Sequence, residues 1–529
     1  MGVGLSALAL WATTRELWRP INVYDEGLLL TNANLLLHGG VPYRDFYSNY
    51  PPGAPLLFAG LWTLCGVSPL APRVLGLLAH VAIAVLVGHL AARISGRRFV
   101  WIAAGLTLGW LRALFTLPYA WLLALATALA FVAFLGRAWD RRSRAGWLLA
   151  GATLGLVSTF RHDLFAYFAL ALGLVGALLA VFRRGGLDRR ARPLAGSFAV
   201  GLALVLLAFW LPILALAGVQ QVAADLYFDQ VRYVMPARVL PMVPLFELTM
   251  DTALPFRTPA FLTRLEAGGI VLAFAGVGLA GLVLLFHSRL PPDRLPIAAA
   301  VSALALAVLP QMLGRTDMIH AIFTVSPALI LLCALLDRLA GRRGSATALP
   351  LFAAVAVLLA PPWPTLWPPR LPLRPTPDPA KALARGAPLP DRQVEPRRKV
   401  LAFIHRTTRP GDPIFVGLQD HRRILSNEVD LYYLADRPGA TRYLQFDPNV
   451  VTRAKVQKEM IEELERRRPA VAILVDRRYI REENLSNRMG ARLLDRYLRS
   501  RYAAVERAGP YLMLLRKDDR ERRAGRGPR

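Results

Sequence analysis

Apolar runs of about twenty residues recur through the first 360 positions of this 529-residue chain, and they stop there. A run of that length crosses a hydrocarbon core as a helix. A chain that repeats it many times cannot bury every copy in one soluble core. The pattern therefore dictates helices packed across a membrane, because only a helix satisfies all its own backbone groups there. Candidate spans lie at 2–18, 70–92, 99–117, 119–136, 145–160, 163–182, 194–216, 267–286, 295–313, 319–336 and 346–362, about eleven in all. The first is short, is followed at once by Arg15 and Glu16, and lacks the basic start and cleavage site of a secretory signal. Ala54–Gly66 is also short and is flanked by prolines, which suits an interfacial or re-entrant helix.

Alternating the sides with the N-terminus inside puts every dense arginine cluster of the membrane half inside. These are Arg93/Arg97/Arg98, Arg137/Arg141/Arg142/Arg144, Arg183/Arg184/Arg189/Arg190/Arg192, Arg289/Arg294 and Arg338/Arg342/Arg343. Counting Ala54–Gly66 as a span would throw most of them outward, so the parity favours eleven spans with the tail outside. The formal charge of +28 is thus largely topology information, and its scatter between apolar runs argues against a nucleic-acid partner. Cys65 and Cys333, the two cysteines, form neither a disulfide framework nor a metal pattern.

Past residue 360 the composition changes. A Pro-rich bridge, 361–396, carries Trp363 and Trp367 near its start and reads as a stiff linker leaving a membrane interface. Residues 397–518 read as a small extracytoplasmic α/β domain, and 519–529 as a disordered basic tail. The expected elements are helices at 397–408, 427–435, 452–468 (capped by Thr452) and 488–500, with strands at 413–417, 443–446, 471–475 and 511–516. Arg516 and Lys517 are grouped with the tail as lipid-facing or disordered residues. Asp420-His421 and Asp476-Arg477-Arg478 read as solvated loop ends. No Gly-rich phosphate fingerprint follows a strand.

The same parity gathers the polar motifs on the outer face. They are the 19–54 loop, Arg161-His162-Asp163, the long loop 217–265, and Arg315-Thr316-Asp317 with His320. Charges converging at a membrane boundary need a reason, because hydrocarbon cannot solvate them. Asp25 and Glu26 are candidates for a general base or a metal-ordering carboxylate; the bland reading is a helix cap. Arg44 and Asp45 are either one loop-shaping ion pair or a phosphate clamp beside a hydroxyl acceptor. Tyr43, Phe46, Tyr47 and Tyr50 suit either sugar stacking or an aromatic belt. Arg161 and Arg315 suit phosphate or snorkelling, and Arg112 is a weaker case of the same kind. His162 stands beside Arg161, and Asp317 can orient His320 three residues on. Asp225, Tyr227, Asp229, Arg232 and Tyr233 in the long loop are further polar residues that could face a substrate.

At these residues the chain resembles the GT-C superfamily of integral-membrane glycosyltransferases. Its resemblance is to bacterial proteins similar to protein O-mannosyltransferases and the lipid A aminoarabinose transferase. The resemblance rests on Asp25-Glu26, on the run from Gly40-x-Pro42-Tyr43-x-Asp45-Phe46 to Tyr50-Pro51-Pro52-Gly53, on Arg161-x-Asp163, and on Arg315-x-Asp317-x-x-His320. It implies a GT-C-like all-α polytopic domain over 1–360 in a bacterial cytoplasmic membrane. It also implies transfer of a sugar from a polyprenyl-phosphate donor to an envelope acceptor (lipid, polysaccharide or protein) on the outer face, with inversion. Asp25 would then activate the acceptor with Glu26 assisting, while Arg161, Arg315 and His320 would hold the carrier phosphate. Membrane lipids are expected partners, and a divalent metal stays open because some relatives use one and others do not. Two other readings stand beside it: a non-enzymatic transporter of a polyprenyl-linked sugar, and a structural partner in an envelope-glycan complex.

Overall fold

The computed structural model describes residue 17 and residues 21–111, 117–182, 192–238, 275–282, 290–291, 293–314, 318–343, 394–423, 427–476 and 489–518. The first half of the chain runs through α1 (Asp25–Leu37), α2 (Gly53–Cys65), α3 (Leu70–Ser95), α4 (Val100–Leu111), α5 (Ala120–Arg141), α6 (Arg144–Phe160), α7 (His162–Phe182) and α8 (Arg192–Ala217). A further helical stretch, 219–238, is followed by α9 (Leu295–Gly314) and α10 (Met318–Arg343). The C-terminal part holds α11 (Val394–Thr407), β1 (Ile414–Leu418), α12 (Asp430–Ala435), α13 (Ala454–Arg467), β2 (Val471–Val475), α14 (Leu493–Arg501), β3 (Tyr502–Ala508) and β4 (Tyr511–Arg516). Expected spans 2–18 and 346–362, the bridge and the tail beyond 518 lie outside the described residues.

These elements form two compact units. One takes residues 73–211 with the described residues of 275–343; the other takes 21–72, 212–238 and the described residues of 394–518.

In the first unit, Leu70–Ser95, Ala120–Arg141, His162–Phe182 and Leu194–Ala217 are long and apolar enough to cross a membrane. Small residues let neighbouring helices approach. A Cβ on Gly151 of α6 would lie 2.0 Å from the Phe198 carbonyl oxygen, and one on Gly201 of α8 would lie 2.0 Å from that of Leu148. Helix ends that the alternation assigns to one side also meet. At the arginine-rich ends, Arg93 of α3 pairs with Asp140 of α5 at 2.7 Å, and Arg294 donates to the Ile94 carbonyl at 3.0 Å. At the other ends, Trp121 of α5 stacks on Phe323 of α10 with ring centroids 5.0 Å apart.

The second unit is built on a four-stranded sheet of order β1-β2-β4-β3. β1 and β2 are parallel and buried along their whole length, as their unbroken apolar sequences demand; β4 runs antiparallel to both β2 and β3. Helix α1 packs on α2 and on α12. Gly27 sits so close to α12 that a Cβ there would fall 2.5 Å from the Asp430 Cβ. With thirteen residues α2 reaches about 20 Å, short of a ~30 Å hydrocarbon core.

Several expectations are corrected. Residues 443–446 form no strand; they lie in an irregular segment whose backbone is satisfied by side chains, with Asn427 donating to the Leu444 carbonyl and accepting from Phe446 N–H. Strand β3 was not expected, since Tyr-Ala-Ala-Val-Glu-Arg-Ala is neither strongly apolar nor alternating. Thr452 does not cap α13, whose N-cap is Arg453 without a side-chain hydrogen bond. His421 is fully buried rather than solvated: its Nδ1 lies 2.7 Å from Asp495 Oδ1, and its Nε2 accepts from Leu418 N–H at 3.1 Å. Arg516 is the buried end of β4, tied to Glu465 at 2.7 Å, and is not part of a loose tail. Segment 219–238, expected as loop, is helical and includes two π turns, Ala224–Phe228 and Gln230–Val234.

Candidate functional site

Asn22 starts the acidic motif. Its Oδ1 accepts from the backbone N–H of Tyr24 at 3.1 Å and of Asp25 at 2.8 Å, and its own N–H donates to Glu26 Oε2 at 3.1 Å. This reciprocal arrangement has the logic of a capping box, with asparagine in the capping role. It separates the two carboxylates. Glu26 is buried and turned back onto the chain, whereas Asp25 is exposed in the first turn of α1.

The aromatic run that follows is folded into the second unit. Tyr43 is fully buried with φ of 67°, and its hydroxyl donates to the Tyr50 carbonyl at 3.0 Å. Burial raises its phenol far above the ordinary range. Arg44 and Asp45 form a two-bond pair at 2.9 and 2.8 Å, and Asp45 Oδ2 also accepts from Val41 N–H at 2.8 Å. The guanidinium beside it holds the Asp45 carboxyl below its usual range. This geometry matches the loop-shaping alternative, although the pair remains half exposed to water. Asn49 is buried, and its Oδ1 has no hydrogen-bonding partner among the described residues.

Residues from distant parts of the chain close around this loop. Arg442 donates to the Tyr43 carbonyl at 2.8 Å and to Asp225 Oδ2 at 2.5 Å, and its own carbonyl accepts from Tyr47 N–H at 2.8 Å. Asp447, fully buried, accepts from the hydroxyls of Tyr24 and Tyr47, each at 3.2 Å, and from Gln445 at 2.9 Å. Gln230 donates to the Tyr47 hydroxyl at 2.9 Å. Arg453 grips Asp229 with two bonds of 3.2 and 2.6 Å and lies 4.0 Å over the Tyr233 ring. Burial pushes the Asp225 carboxyl up to about 7, against the pull of Arg442 beside it.

In the other unit, Arg161 follows α6 and Asp163 lies in the first turn of α7. Arg161 is 7% exposed, and its guanidinium forms a two-bond pair with Asp163, reaches Gln311 at 3.5 Å and lies 4.8 Å over the Trp121 ring. Its fork is therefore already engaged by protein groups. His162, beside it, is the first residue of α7. Arg112, Arg315 and Asp317 lie outside the described residues, and His320 is placed only as part of α10. Among the described residues, no three His, Cys, Asp or Glu side chains gather as a metal-holding group.

Asp225, Arg442 and Asp447 were not singled out for a shared role from the sequence. A carboxylate at 225 and an arginine at 442 carry no mutual spacing signal, and only the topology joins them.

No family model matches the chain, and no curated protein matches it. Solved structures do. ArnT from Cupriavidus metallidurans bound to undecaprenyl phosphate superposes with a TM-score of 0.57 at 16% identity, over 97% of each chain. The apo state of the same protein gives 0.52 at 17% identity over 96% of each. The Archaeoglobus fulgidus oligosaccharyltransferase in complex with zinc and sulfate gives 0.52 at 14% identity, over 90% of this chain and 67% of that one. At such identities the likeness speaks for the fold, and it runs almost end to end: this chain shares its fold with ArnT and with the archaeal oligosaccharyltransferase.

Proposed function

We propose that the chain is a membrane glycosyltransferase that moves a sugar from a polyprenyl-phosphate carrier to an envelope acceptor on the outer face of a bacterial cytoplasmic membrane. The observation that carries this reading is the end-to-end likeness to a structure bound to undecaprenyl phosphate. It is supported by an exposed carboxylate, Asp25, at the start of a helix anchored in a dense polar network.

Asp25 removes the proton from an acceptor hydroxyl as its oxygen attacks the anomeric carbon. The bond from that carbon to the phosphate oxygen breaks, the electron pair leaves with the polyprenyl phosphate, and attack from the opposite face inverts the anomeric centre. Glu26 orients the motif through Asn22 rather than touching substrate. Arg161, held by Asp163, braces the junction of α6 and α7. The carrier phosphate is assigned to Arg315 and His320, with Asp317 in the same motif. Tyr43, Arg44, Asp45 and Tyr50 form the substrate-binding loop, and His162 joins the substrate-binding set beside Arg161. The domain plan is a transmembrane catalytic domain over 1–360, a linker over 361–396, an extracytoplasmic α/β domain over 397–518 and a tail over 519–529.

The test is reconstitution of the purified chain in vesicles with polyprenyl-phosphate sugars and crude envelope lipid and glycan. Free polyprenyl phosphate and a glycosylated acceptor of inverted anomeric configuration are expected. A donor that crosses the bilayer with its sugar still attached would instead identify a transporter.

A further inference from the structure

We infer that Arg442 and Asp447 of the C-terminal part are positioning residues that hold the acidic motif and the 41–50 loop in register. The inference rests on the reading of Asp25 as the base.

Each residue has bonds that a solvated surface side chain would not make. The Arg442 guanidinium spans two acceptors, the Tyr43 carbonyl and the Asp225 carboxylate, while its backbone carbonyl takes the Tyr47 N–H. It therefore grips the loop at two points four residues apart and ties that loop to segment 219–238. One gripped point, Tyr43, has φ of 67°, a backbone conformation that a tyrosine adopts only when its surroundings hold it there. Asp447 joins the hydroxyl of Tyr47 to that of Tyr24, the residue immediately before Asp25. Tyr24 thus has its side chain fixed by Asp447 and its N–H fixed by Asn22, which leaves Asp25 little freedom to swing. The Arg453–Asp229 pair and the bond from Asn449 to the Tyr233 carbonyl at 3.2 Å secure the other side of segment 219–238. All these contacts lie within one compact unit. The C-terminal domain thereby acquires a role in the reaction without supplying a group that touches substrate.

A general base misplaced by about 1 Å loses about 10²-fold in rate while donor binding elsewhere is little changed. The experiment uses the full chain in vesicles with Arg442→Ala, Arg442→Lys, Asp447→Ala and Asp25→Asn. It reads kcat and donor KM for polyprenyl phosphate release, thermal unfolding, and amide hydrogen exchange of residues 22–27 and 41–50. The expected result is a kcat lower by about 10²-fold in both alanine variants at unchanged KM, partial recovery in Arg442→Lys, and faster exchange confined to those two segments. Alanine variants that keep both wild-type kcat and wild-type exchange would overturn the inference. If the wild type releases nothing from any donor, the functional reading fails, and hydrogen exchange still decides whether the two residues hold the loop. If an alanine variant unfolds, Arg442→Lys decides by the same two readouts, since it keeps the charge but its shorter side chain displaces the one nitrogen that serves both acceptors.

Discussion

Two charged motifs solve the same problem in opposite ways. Arg161 finds its principal partner two residues away, in Asp163, and the pair is completed by the aromatic face of Trp121. The 41–50 loop instead depends on partners 183 to 400 residues away: Gln230, Arg442 and Asp447. Local pairing neutralises a charge cheaply and makes the Arg161 junction self-contained. Distant pairing makes the geometry around Asp25 depend on the folding of the C-terminal part. A loop positioned in that way is set accurately only when the whole unit is assembled.

The largest expected effect separates Asp25 from Glu26, two neighbours with opposite surroundings. Asp25→Asn should lose about 10²–10⁴-fold in kcat with an unchanged unfolding temperature, as for removal of a general base. Glu26→Gln should keep most activity and lower the unfolding temperature, because the neutral amide accepts less strongly from Asn22 N–H. Equal effects in both variants would erase the distinction.

Next, Asp163→Ala should destabilise the first unit strongly, because it strips the principal partner from a buried guanidinium, a change that costs about 3–5 kcal/mol in comparable pairs. Thermal unfolding measures it. Exchange of the 41–50 loop should stay as in the wild type, which sharpens the contrast between a local and a distant device.

A smaller effect follows from pH. Burial raises Asp225 to about 7 from an unfolded value near ~3.9. The folded state therefore binds the proton more tightly, and this contribution to stability is complete below the unfolded value and lost as the pH rises through about 7. The stability of wild type relative to Asp225→Asn should fall between pH 4 and 7 and level off above. Denaturant midpoints across that range read the slope directly, and a flat difference would contradict it.

The smallest effect is expected at Arg44. Its pair with Asp45 is exposed, so Arg44→Ala should leave unfolding unchanged. A raised donor KM in that variant would restore the phosphate-clamp alternative.

How much could be read from the chain follows the same division. The four long apolar helices α3, α5, α7 and α8, with β2 and β4, carried continuous hydrophobic signals and stand where the sequence put them. Arg161 and Asp163 announced themselves by proximity. Asn22 carries a signal of its own, since an asparagine three residues before Asp25 is a capping residue. β3 was hidden by alanines, yet Gly509-Pro510 before β4 marks the turn of a hairpin. The burial of His421 and the Asp225–Arg442 and Tyr24–Asp447 contacts had no sequence spacing to reveal them. They exist because the sheet and α1 bring remote segments together, a property of topology rather than of any local pattern.

The central claim is that the exposed carboxylate of Asp25 is the base of a carrier-dependent sugar transfer. Its most direct test is single-turnover release of polyprenyl phosphate by wild type and Asp25→Asn, loaded with the same donor and followed across pH. The account predicts that donor binding persists in the variant while the chemical step falls by at least about 10²-fold and loses its acid limb. A variant that turns over at the wild-type rate, with the acid limb retained, would contradict it.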